Sequence, residues 1–152
     1  MENELQSLID QFLNILHLYS VINRKPKDFG TGDLLRFSEI HTIAMVGRHK
    51  EINMTRLAEQ MGVTRGAISQ TIAKLAGKDL IRREKTTNMK EVTLSLTQKG
   101  HTVLKGQESF QKEIFTFASA LYSKASPADV ELVRGLFTAI AENMQYKVKN
   151  LS

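Results

Sequence analysis

Thr64, Arg65, Gly66, Ser69, Gln70 and Lys74 have the types and spacing to read a polyanion with ordered edges. On a helix, at about 100° per residue, Gly66, Ser69, Gln70, Ala73 and Lys74 fall on one face. Ile68, Ile72 and Leu75 fall on the other, at i, i+4 and i+7. A helix lying in a DNA major groove needs such an outer face. Small side chains allow close approach, glutamine pairs bidentately with adenine, and arginine does so with guanine. Gln70 and Arg65 are therefore the expected base-edge contacts, with Ser69 and Thr64 on phosphates. The plain alternative is a solvated helix face, and one helix alone does not separate the two.

What must position these residues is the stretch Asn53–Ile81. It predicts two short helices joined by a tight turn. Asn53 is an N-cap for the first, in which Leu57, Ala58 and Met61 recur at helical spacing. Gly62 then supplies the left-handed residue that ends a helix, and Thr64 caps the second. Leu80–Lys85 and Glu91–Leu96 follow as two strands around a polar tip. Val92, Leu94 and Leu96 alternate with polar residues, which is period two. Arg82, Arg83, Lys85 and Lys90 dot this hairpin with positive charge. Beside a helix-turn-helix, a basic hairpin is expected to be a wing on phosphates or the minor groove, rather than a merely solvated turn.

Around this unit the period is helical. Residues 2–23 carry Leu5, Leu8, Ile9, Phe12, Leu16 and Tyr19, and a second helix is expected over Ser38–Arg48 with Ser38 as its cap. A long helix begins at Thr97 and carries Val103, Leu104, Phe110, Ile114, Phe117 and Leu121. Ser126-Pro127-Ala128-Asp129 is a strong start for the last helix, with Leu136 and Ile140 on its apolar stripe. A winged unit of about 45 residues cannot bury three such stripes. Two copies packed through Leu8, Phe12, Phe117, Leu136 and Ile140 are the expected solution, against a monomeric bundle as the alternative.

Charge and composition agree with this organisation. The 152 residues carry a formal net charge of +5. Residues 51–100 hold 9 Lys/Arg against 5 Asp/Glu, a balance of +4, while the flanking thirds are at 0 and +1. The excess thus sits in the segment with the helix-turn-helix pattern. With no cysteine there is no disulfide, thiolate metal site or thiol switch. No signal segment or long uncharged apolar run appears, which points to the cytoplasm and away from membranes. His41, His49 and His101, weighed with Glu39 as metal ligands, lack the spacing of a zinc helix motif, so no metal and no cofactor is expected. There is no glycine-rich phosphate loop and no paired nucleophile and base, so the chain does not read as an enzyme.

Leu57-Ala58 before Gly62-Val63-Thr64, then Gly66, Ser69 and Leu75, then Leu80-Ile81, and finally Leu96-Thr97 with Gly100 carry a resemblance. The sequence resembles MarR-family transcriptional regulators over nearly its whole length. The resemblance implies a mainly α fold with a small β-hairpin wing. Residues 34–96 would be the winged helix-turn-helix part and residues 1–33 and 97–152 the helical dimerisation part. It implies a homodimeric repressor of double-stranded DNA, with two recognition helices in successive major grooves of a pseudo-palindrome. It also implies that a small aromatic or amphipathic effector binds between the two parts, with a metal-responsive regulator as the alternative. The chain departs from the family pattern at Asp79, where glycine is usual before Leu-Ile. It departs again at the wing tip, where Asn88 and Lys90 replace Asp-x-Arg; lysine lacks arginine's planar fork.

Overall fold

The computed structural model describes residues 2–49, 52–85 and 92–150. In chain order they form α1 (Glu2–Asn23), α2 (Phe37–Arg48), β1 (Ile52–Asn53), α3 (Met54–Met61), α4 (Arg65–Gly77), β2 (Ile81–Lys85), β3 (Val92–Leu96), α5 (Gln98–Tyr122) and α6 (Pro127–Lys149). The fold is mainly helical with a small antiparallel sheet, a winged helix-turn-helix with long helices on either side.

The caps follow from the residue types. Asn53 Oδ1 accepts from Arg56 N at 2.9 Å, and Thr64 Oγ1 from Ala67 N at 3.2 Å. Between them Gly62 takes φ +65, the left-handed corner that a glycine accepts without strain. Ser126 and Asp129 form a reciprocal capping box with Pro127 in the first turn of α6. The helix end before Leu80 is managed by Asp79 itself, at φ 55, as a short polar side chain can do. One expected cap is corrected. Helix α2 begins at Phe37 and its N-cap is Arg36, not Ser38. The Arg36 amide donates to Glu39 Oε2 at 2.8 Å, so the carboxylate three residues on closes the end that Ser38 was expected to close.

The sheet has one strand more than a hairpin. Its order is β1-β3-β2, with Ile52 opposite Leu94 and Ile81 opposite Leu96. The core lies between this sheet and helices α2, α3 and α4. Ile43, Ile52, Leu57, Ile68, Ile72, Leu75, Leu80, Ile81 and Leu94 are buried there, joined by Val103 from α5. Helix α5 is fixed to this core at Gly100, where a Cβ would overlap the Leu80 carbonyl oxygen. The backbones meet because there is no side chain between them. Beyond that first part α5 leaves the core, and Phe117 is 87% exposed. Helix α1 buries no residue, and Leu8 and Leu136 are 61% and 57% exposed. Among the described residues no helix is long and apolar enough to cross a membrane.

Candidate nucleic-acid interface

Helix α4 is held from behind. Ile68, Ile72 and Leu75 are buried, so the helix cannot rotate without exposing them. That fixes the outer face. Thr64, Arg65, Gly66, Gln70 and Lys74 are exposed and Ser69 is half-buried. A Cβ added at Gly66 would meet only Thr64 Oγ1, at 3.9 Å. The fold therefore does not require glycine there, and a helical glycine is a cost.

On the wing, Arg82 and Arg83 are exposed on β2, and β2 and β3 pair in register from Ile81↔Leu96 to Lys85↔Val92. The structure thus brings Arg83 and the α4 residues onto one unit built around a shared core. Asn88 and Lys90 lie outside the described residues, as does the side chain of Lys85. Of the weighed metal ligands, Glu39 is occupied by the Arg36 amide and lies 3.5 Å from Lys78 Nζ. His41 stacks on Phe37 at 5.9 Å, His49 is the C-cap of α2, and His101 is exposed on α5. Among the described residues no three His, Cys, Asp or Glu side chains are grouped to hold a metal.

For a small effector between the two parts, sequence reasoning named no residues. A cavity of about 460 Å³ opens between α1, α2 and α5, lined by Tyr19, Lys27, Phe29, Phe37, Gln107 and Phe110 among others. This volume suits a small organic molecule. Tyr19 meets Phe37 edge-on at 5.5 Å, and Lys27 Nζ sits 4.7 Å from the centre of the Phe110 ring. Beside it, burial pushes the His41 imidazole below its ordinary value, with the Arg48 guanidinium adding to the shift. The sequence signal for this cavity was Phe29, a lone aromatic in a loop of glycines, which a solvated loop does not call for.

Comparison with known proteins places this geometry. Residues 36–90 match the model of the MarR family. The uncharacterised HTH-type transcriptional regulator YhjH of Bacillus subtilis (strain 168) is 35% identical over 74 residues, covering 48% of this chain and 42% of that protein. The chain spans less than half the length of the curated relatives it matches. FabT of Streptococcus pneumoniae, solved in complex with DNA, shares the fold with TM-score 0.65 at 19% identity, over 99% of both chains. The zinc-responsive MarR family member ZitR of Lactococcus lactis does so with TM-score 0.64 at 20% identity, over 92% of this chain and 99% of that one. Across its winged unit the chain is similar to the MarR family, and over nearly its full length it shares the winged helix-turn-helix fold of solved proteins such as FabT and ZitR.

Proposed function

We propose that the protein is a sequence-specific regulator that binds double-stranded DNA as a homodimer on a pseudo-palindromic operator, and represses until a small effector releases it. The observation that carries this reading is the outer face of α4. Its buried stripe fixes its orientation, and its exposed side presents a glycine the fold does not need between residues that hydrogen-bond base edges and phosphates. Gln70 and Arg65 read bases; Thr64, Ser69 and Lys74 hold the backbone. Arg83, Lys85, Asn88 and Lys90 serve the wing. FabT, a protein of this fold, has been solved on DNA, which supports the same use here.

Residues 34–96 act as the DNA-binding part, and residues 1–33 and 97–152 as the dimerisation part. Leu8, Phe117 and Leu136 stand exposed on a single chain, with Phe12 and Ile140 half-covered. Burying each is worth roughly 1.5–3 kcal/mol, and a second copy supplies the matching surface. The effector enters the cavity between α1, α2 and α5. Its aromatic walls favour an aromatic or amphipathic molecule, and Lys27 favours one that carries an acid group. A zinc-responsive protein shares the fold, but the aromatic cavity is what this chain offers as a trigger.

Footprinting the purified protein on the DNA upstream of its own gene, followed by titration at rising salt, tests the reading. The expected result is protection of two half-sites about one helical turn apart, with affinity falling steeply with salt. Absence of any protected duplex, or salt-independent binding, overturns it.

A further inference from the structure

The segment 27–35 between α1 and α2 reaches both the cavity and the far end of α4. Its two ends are tied by a pair of backbone hydrogen bonds, Lys27 N to Leu35 O and Leu35 N to Lys27 O, both 2.9 Å. Asp28 Oδ1 gathers the turn by accepting from the Thr31 and Gly32 amides at 3.0 and 3.2 Å. Leu35 is fully buried and anchors the segment in the core. So closed, the loop has the bonding to move as a piece.

One side of the loop faces the cavity. The Phe29 ring forms part of the wall and fills a notch in α5 at Gly106, where a Cβ would overlap the ring. A molecule settling against that wall presses on Phe29. The other side faces the recognition helix. Asp33 Oδ2 lies 2.6 Å from Lys99 Nζ in the first turn of α5, and that ammonium donates to the Lys78 carbonyl at 3.1 Å. Lys78, the C-cap of α4, returns the contact by donating from Nζ to the Leu34 carbonyl at 3.1 Å. Two lysines thus cross between the loop, α5 and the end of α4. Their side chains keep about a third of their surface in water. Ion pairs this open add little to stability. What they fix is where the end of α4 sits relative to the loop.

We propose that the 27–35 loop conveys occupancy of the cavity to the recognition helix, and that Asp33, Lys99 and Lys78 are positioning residues for α4. The inference rests on the DNA-binding reading and deepens it by naming how that site is regulated. The two-state element is Phe29, seated in the Gly106 notch or displaced from it. Displacement shifts Asp33 and Leu34, and the cap of α4 follows through Lys99 and Lys78.

The test uses the full chain and needs no effector. Gly106→Ala fills the notch and drives Phe29 out; Asp33→Asn cuts the ionic link with little change of shape. Operator affinity is read by fluorescence anisotropy, and amide hydrogen exchange is read over residues 74–80. Gly106→Ala is expected to weaken operator binding about fivefold or more, the lower end of usual couplings between sites. It is also expected to speed exchange over 74–80. Combined with Asp33→Asn it should do no further harm, because both changes cut one path. Lys99→Arg should keep the wild-type behaviour and Lys99→Gln lose it. Should Gly106→Ala fail to fold, Phe29→Ala unseats the loop by deletion, and the same non-additivity is expected. Multiplicative losses in the double variant, or exchange changes confined to the loop and α5, overturn the proposal. If the wild type binds no duplex at all, the DNA reading falls, and the exchange pattern still decides this link.

Discussion

Gly66 occupies the first turn of α4 with open space where a side chain would stand. Ala in its place should stabilise the fold by up to about 1 kcal/mol, since alanine is the better helix former. The same methyl should obstruct the groove and lower operator affinity. Chemical denaturation and anisotropy titration of Gly66→Ala check the two signs together; a variant both more stable and equally tight would remove Gly66 from the interface. His41 gives a pH prediction. Burial, with help from Arg48, holds its folded pKa below the ordinary 6.5. In the window between the lowered value and 6.5 the unfolded chain binds more protons than the folded one. The stability attached to the neutral ring is therefore full above 6.5 and is lost as pH falls below it. Thermal melts at pH 7.5 and 5.5 should show a drop that is smaller in His41→Gln.

Among the elements, α5 is seated most tightly at Gly100. A glycine-to-alanine change inside a helix normally helps, but here the added Cβ would meet the Leu80 carbonyl. Gly100→Ala should cost about 1–3 kcal/mol, the scale of overpacking, with a lower midpoint in urea as the readout. A stabilised variant would mean that the Leu80 carbonyl sits farther from α5. The elements also show what sequence patterns convey. Thr64, Gly62, Asn53 and Ser126 announced their caps because capping is a transaction among residues three apart in the chain. Ile68, Ile72 and Leu75 announced the buried face of α4 by period alone. Arg36 gave no such sign, because its amide is closed by Glu39 while Ser38 offered the usual residue type two residues too late. Strand β1 was illegible for another reason. Two residues have no period, and Ile52–Asn53 is a strand only because Leu94 and Thr93 lie alongside. The cavity was hidden likewise, since Tyr19, Phe29, Phe37 and Phe110 come together only through tertiary packing. The wing-tip residues Asn88 and Lys90 stand on sequence alone.

For the molecule as a whole, the long helices present more apolar surface than one chain covers. Leu8, Phe117, Leu136 and Phe137 are all more than half exposed. Leaving several such side chains in water is a cost comparable with a domain's usual margin of about 5–15 kcal/mol. The folded monomer should therefore be scarce, and the melting temperature should rise with protein concentration. Analytical ultracentrifugation showing a stable monomer at micromolar concentration would refute the dimer. One small feature shapes how such a dimer meets its operator. Asn53 pairs with Thr93 in the sheet and caps α3 with its side chain, while its neighbour Ile52 is buried against Leu94. The same dipeptide stitches β3 to the start of α3, so in the proposed dimer each half should act as a jaw of fixed gape. On the proposed reading, the span from the base pairs met by α4 to the phosphates met by the wing is then set within one chain. Any give must come from the swing of one jaw against the other. Selection from operator libraries should then recover sites with a base pair added between half-sites and reject those with a base pair added inside one.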